Sequence, residues 1–118
     1  MTTPQDLPFH LKGNYAPVAE EITAVDLEVR GAIPTELNGR YLRNGPNPLG
    51  SVDQATHHWF TGAGMVHGVR LEDGRARWYR NRWVRSADVV AALGESVGER
   101  RLGGVNNTHV IGLAGRTW

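Results

Sequence analysis

Four of the five histidines fall in or beside runs of strand-like composition: His57 and His58 in "THHWF", His67 in "GMVHGV" and His109 in "NNTHVI". Imidazole is a common ligand for zinc, copper and iron, so a metal centre is the first chemistry to weigh. Neighbouring residues of a strand point to opposite faces, however, so His57 and His58 cannot share one ion without a bulge. Carboxylates to complete a site are scarce around them. Hydrogen-bonded or half-exposed sheet histidines are the better reading of the residues.

Other chemistries fare worse. The absence of cysteine excludes disulfides, thiolate metal sites and a cysteine nucleophile. Ser51, Ser86 and Ser96 lie in no nucleophile-elbow pattern. The glycine runs "GAG" and "LGG" open no helix after a strand, so they carry no phosphate-cradle signal. Residues 75 to 85 hold five arginines with Trp78, Tyr79 and Trp83, a mixture that could bind single-stranded nucleic acid. On a regular strand Arg75, Arg77, Tyr79, Asn81 and Trp83 share one face, and Trp78, Arg80, Arg82 and Val84 the other. That division leaves no basic stripe, and the arginine stems are expected to cover aromatic sheet surface instead, with no nucleic acid as partner.

The chain that must position these residues has 118 residues, a net charge of +1, 40% hydrophobic and 21% charged residues, within the ordinary globular range. Fifteen glycines and six prolines predict many turns between short strands. "MTTPQDLPFH" has neither a basic nor an apolar leader region, and no stretch approaches the roughly 20 apolar residues that cross a bilayer. A cytoplasmic location is expected.

Residues 1 to 21, with Pro4, Pro8 and Pro17, read as an extended N-terminal arm, and residues 22 to 118 as a β-rich segment. "TAVDLEVR" at 23 to 30 alternates as a strand with Val25, Leu27 and Val29 inward. Residues 40 to 43 of "RYLRNGPNP" read as a short strand stopped by Asn44-Gly45-Pro46. Runs at 56 to 61, 65 to 71 and 75 to 84 suggest a three-stranded meander, its second turn at Glu72-Asp73-Gly74 with Gly74 at positive φ. Ser86 caps a short helix through "ADVVAAL" that Gly94 ends, and "NNTHVIGLAG" returns to strand composition. The fold class is all-β with one short helix.

The order of three motifs says more than any one of them. "LEVRGAIPTELNGRYLRNGPNP", then "HHWFTGAGMVHGVRLEDGRARWYRNRWVRS", then "NNTHVIGLAGR" resembles the start of the carotenoid cleavage oxygenase family, which includes stilbene-cleaving dioxygenases. The resemblance runs from about Gly13 to Trp118. It implies the first part of a seven-bladed β-propeller, with "RYLRNGPNP" as the entering strand and turn. For a complete member it implies Fe(II) held by four histidines from separate strands, with glutamates behind three of them. O2 then cleaves a conjugated carbon–carbon double bond into two carbonyl products.

The same resemblance implies that His57, His58, His67 and His109 match none of the iron ligands, so this chain alone is expected to bind no iron and to be inactive. Full members have several hundred residues, and the chain reads as an N-terminal fragment covering about the first quarter, ending at "GRTW" within a strand. Phe60 matches an aromatic that lies beside the substrate tunnel, with ordinary core packing as the competing reading. Ala63 departs from the acidic residue usual in that turn. Stilbene-cleaving members carry a tyrosine in a longer connection where this chain has "GESVGERRLGG", which favours a carotenoid or apocarotenoid substrate over a stilbene. An apolar polyene further implies peripheral membrane contact to reach it. Uncovered sheet edges imply self-association, and a non-catalytic β-sheet interaction module is the alternative function.

Overall fold

The computed structural model describes residues 11–49, 62–95 and 106–118. After a 3-10 turn at Gly13–Tyr15 come β1 (Thr23–Val25), β2 (Gly39–Pro46), β3 (Gly64–Glu72), β4 (Arg75–Trp83), α1 (Ala87–Ala92), β5 (Gly112–Leu113) and β6 (Arg116–Thr117). The first four strands form one antiparallel sheet in the order β1-β4-β3-β2, and β5 and β6 pair as a separate hairpin. All-β with one short helix is therefore the observed class, and a four-stranded antiparallel sheet is the unit that a propeller repeats as a blade.

Local chemistry explains the turns. Asp73 and Gly74 both take positive φ, 53° and 71°, and close the Glu72–Arg75 pair as a two-residue turn whose twist suits a hairpin. Ala114 and Gly115, at 54° and 74°, repeat the arrangement between β5 and β6. Ser86 caps α1 as expected, its Oγ accepting from the Val89 amide at 3.5 Å. At the other end Gly94, with φ 71°, donates to Ala91, and Glu95 donates to Val90, the two bonds of a Schellman motif.

Four expectations need correction. The strand at 23 to 30 stops at Val25 because Asp26 takes φ 51°, a left-handed conformation that aspartate tolerates. Pairing resumes beyond it, with Asp26 donating to Arg77 and Leu27 to Ala76, while Val25 faces outward at 67% exposure. The strand at 40 to 43 does not stop at Asn44-Gly45-Pro46; β2 runs through all three, with Gly45 opposite Met65 and Pro46 opposite Gly64. Proline is tolerated there because β2 is the sheet's edge.

The faces of β4 also shift at its start. Arg70 pairs with Trp78 but Leu71 with Ala76, leaving Arg77 as the extra residue of a bulge, so Ala76 is the residue that becomes buried. Of the expected meander, the second and third runs are β3 and β4. Residues 56 to 61 lie outside the described residues, and the strand beside β3 is β2.

The core sits where β3 and β4 meet α1. Met65, Trp83 and Val89 are buried together, with Val18, Leu49, Ala63 and Leu93 packed around them. Val90, on the same short helix, is also buried.

Candidate functional site

Three asparagines organise the region around "RYLRNGPNP". Asn47 is buried, and its side-chain amide faces the backbone of Val18: Oδ1 accepts from the Val18 N–H at 2.7 Å, and Nδ2 donates to the Val18 carbonyl at 2.9 Å. The short amide thus imitates a strand partner. Its own backbone is equally committed, the N–H donating to Ala63 at 2.7 Å and the carbonyl accepting from Trp83 Nε1 at 2.9 Å.

Asn81 does the same further along the segment, accepting from the Ile22 N–H and donating to the Glu20 carbonyl at 3.3 Å. Between them the Glu21 carboxylate accepts both Arg85 terminal nitrogens, at 2.6 and 2.8 Å, and the Trp83 N–H at 2.9 Å. Arg85 Nε also reaches Glu95 at 3.0 Å. The Arg85 hydrogen bonds hold the Glu21 carboxyl below its ordinary range despite partial burial, and the same bonds raise Arg85.

Asn44 makes the third contact. Its Nδ2 donates to the carbonyls of Asn106 and His109, at 3.1 and 3.2 Å, which seats the segment before β5 over β2. Asn107 Nδ2 donates to the Gly62 carbonyl at 2.9 Å. Gly64 is required for this approach, because a Cβ there would lie 1.9 Å from the Asn106 oxygen. The glycines of "GAG" therefore serve backbone-to-backbone packing, and the three motifs read separately along the chain meet at one junction.

The histidines are not brought together. His67 Nδ1 lies 2.7 Å from the Tyr79 hydroxyl, and register places His67 in one cross-strand row with Arg43 and Asn81. Burial first, and then the Arg43 charge, lower the imidazole pKa and favour the neutral ring. His109 is exposed and belongs to the segment seated on Asn44 and Gly64, which by strand alternation occupy the opposite face of the sheet. Among the described residues no group of three or more His, Asp or Glu is arranged to hold a metal ion. His57, His58 and Phe60 lie outside the described residues.

The arginines of β4 are separately engaged. Arg80 stacks over Trp78 at 4.8 Å, and Arg82 donates to the Ile22 carbonyl and Thr23 Oγ1 at 2.8 and 2.7 Å. Sequence reasoning missed the asparagine clamps, because Asn next to Gly and Pro reads as turn chemistry and Asn81 sits among arginines without a pattern.

Comparison with known proteins adds what this geometry lacks. The sequence pattern of one family, described as retinal pigment epithelial membrane protein, matches residues 15–118. A carotenoid cleavage oxygenase of Mycobacterium tuberculosis is 60% identical over 114 residues, covering 92% of this chain and 23% of that protein. Carotenoid 9,10(9',10')-cleavage dioxygenase 1 of Arabidopsis thaliana is 48% identical over 83 residues, 69% of this chain and 15% of its own length. Among solved structures, a variant of Synechocystis apocarotenoid oxygenase superposes with TM-score 0.71 at 26% identity, over 98% of this chain and 27% of that one. The lignostilbene dioxygenase of Pseudomonas brassicacearum gives 0.70 at 25% identity, over 94% and 26%. The chain thus spans about a quarter or less of the relatives it matches.

Proposed function

The chain belongs to the carotenoid cleavage oxygenase family, and from that premise we propose that it is the entry segment of an enzyme that uses O2 to cleave a conjugated double bond of a carotenoid or apocarotenoid. The observation that carries the substrate class is the 60% identity over 114 residues to a carotenoid cleavage oxygenase. Cleavage of a stilbene is the second reading, favoured by the superposition on lignostilbene dioxygenase but at only 25% identity.

Fe(II) is the cofactor that the family implies. The described residues do not fit it: His67 is engaged with Tyr79, and His109 lies on the other face. In this reading the described residues serve as scaffold and wall. The asparagine clamps fix the N-terminal segment to the sheet, and the Asn44–Gly64 junction fixes the chain leading to β5. Phe60 is proposed as the aromatic that packs against the polyene. It stands two residues before Gly62, which is buried and bounded within 3.2 Å of a Cβ position by Pro46, Asn47 and Pro48. Gly62 is thus packed against the end of β2.

The test is a chimera in which this chain replaces the matching segment of the Mycobacterium tuberculosis relative. With Fe(II) and O2 it should consume an apocarotenoid, read as lost polyene absorbance and new aldehyde products, while the 118-residue chain alone should not. A folded, iron-loaded chimera that leaves carotenoids and apocarotenoids intact would overturn the proposal. If the chain alone were then monodisperse and folded, the interaction-module reading would stand in its place.

A further inference from the structure

Arg40 of β2 and Arg70 of β3 are direct cross-strand partners. Like charges placed opposite each other on a sheet repel, and little near this pair offsets them. Among the described residues Arg40 forms no ion pair; its guanidinium donates to Thr117 Oγ1 at 2.9 Å. Arg70 donates to Asn38 Oδ1 at 2.9 Å and meets Glu72 only at 3.9 Å. Glu72 is itself shared with Arg77, at 3.8 Å. Glu72 is thus divided between Arg70 and Arg77, and neither contact is close.

The two arginines border a recess of about 520 Å³ between the sheet and the β5–β6 hairpin. Its other walls include Leu42, Val110 and Ile111, with Thr117 at the Arg40 side. The volume falls in the range of about 300 to 1,000 Å³ typical of small-molecule sites. Charge at one part and aliphatic side chains at another specify a ligand with both characters.

We infer that this recess binds an amphipathic carboxylate, its head bridging the Arg40 and Arg70 guanidiniums and its alkyl chain lying on Leu42, Val110 and Ile111. A planar guanidinium presents paired N–H donors that match the two oxygens of a carboxylate, and a head between two such forks relieves their repulsion. The apolar walls distinguish this ligand from a bare inorganic anion, and the charge distinguishes it from a neutral lipid. The inference does not rest on the oxygenase reading, since it is argued only from Arg40, Arg70 and the recess they border.

Calorimetric titration of the folded chimera with decanoate, below its micellar concentration, tests it. Saturable one-to-one binding that weakens with added salt is expected, with decanol and inorganic phosphate each binding at least about tenfold more weakly. Arg40→Gln and Arg70→Gln should each lower decanoate affinity about tenfold, as loss of a charge-assisted hydrogen bond does, while Arg80→Gln, stacked on Trp78 outside the recess, should not. The decanoate, decanol and phosphate comparison needs no variant, so it decides even if a substitution impairs folding. Equal binding of decanol, equal competition by phosphate, or indifference to both substitutions would overturn the inference. So would the absence of saturable binding by the folded chimera, which would mean that the rest of the enzyme covers the recess.

Discussion

Replacing Asn47 with alanine should release the segment around Val18 while leaving the sheet in place. The substitution removes two hydrogen bonds, at 2.7 and 2.9 Å, and touches neither the Asn47 amide bond to Ala63 nor the carbonyl that accepts from Trp83. Each bond is worth about 1 kcal/mol net, and a buried group left unpaired costs about 1 to 3 kcal/mol. Val18 is half-buried, so water restores part of what is lost, and about 2 to 3 kcal/mol is the expected total. At about 1.4 kcal/mol per factor of ten, local opening should become roughly 30- to 140-fold more frequent. Hydrogen exchange at the Val18 amide reads this directly, and the Ile22 amide, held by Asn81, serves as the internal control. In the Asn47→Asp chain the acceptor survives, but a carboxylate faces the Val18 carbonyl, so the defect should ease when acid protonates it. Unchanged Val18 exchange would refute the clamp. Uniform loss of protection across β3 and β4 would show that Asn47 supports the whole core instead.

Two glycines should respond to very different degrees. Gly64→Ala drives a Cβ into the Asn106 backbone at 1.9 Å and should displace the segment seated on Asn44, at a cost of about 3 kcal/mol or more, whereas Gly68→Ala crowds only the flexible tip of Leu42, at 2.9 Å, with Trp78 at an ordinary 3.5 Å, and should cost about 1 kcal/mol; denaturation of the two variants in the chimera compares them. Thermal melts against pH in the same background should show two separate losses. Glu21, whose pKa is lowered by Arg85, contributes stability above the ordinary carboxylate value of about 4.3 that disappears as pH falls through and below it, and Glu21→Gln should flatten that limb. His67, held neutral by burial and Arg43, contributes stability above the ordinary imidazole value of about 6.5 that is lost as pH drops below it, and a His67→Gln melt with the same slope there would contradict this. Phe60→Ala in the active chimera should weaken substrate use or shift the cleaved bond with iron content unchanged, since a misplacement of about 1 Å can cost on the order of a hundredfold; loss of iron together with unfolding would instead make Phe60 a core residue.

What the sequence disclosed divides by the range of the physics involved. The Ser86 cap, the Gly74 turn and the Gly94 stop depend on one residue's hydroxyl or backbone freedom, and all three were legible. The extent of β2 was not, because whether Pro46 ends a strand depends on whether another strand must pair beside it, and that edge position is set by residues far along the chain. Alternation failed at Asp26 and Arg77 for a related reason: a single left-handed residue or bulge shifts every following side chain, and neither residue type announces one. The family itself was read from the order of motifs, whose meeting at Asn44, Gly64 and Asn107 no periodicity reveals.

The distribution of apolar residues follows from the same nonlocality. A strand needs apolar side chains wherever its face is covered, whether by its own chain segment or by another. Met65, Trp83 and Val89 find their cover within the described residues, from α1 and from the clamped Val18. Val25, Tyr41, Leu113 and Trp118 remain 62 to 67% exposed despite belonging to the sheet, the hairpin or its pairing partner. Propeller blades bury such faces against neighbouring blades, so side chains that no local contact explains are the ones a fold spanning the full length of the relatives would use. The asparagine clamps fit that division. By satisfying the backbone of residues 18 to 22 through side chains of Asn47 and Asn81, they fix the segment without drawing on the apolar surface that packing between blades requires.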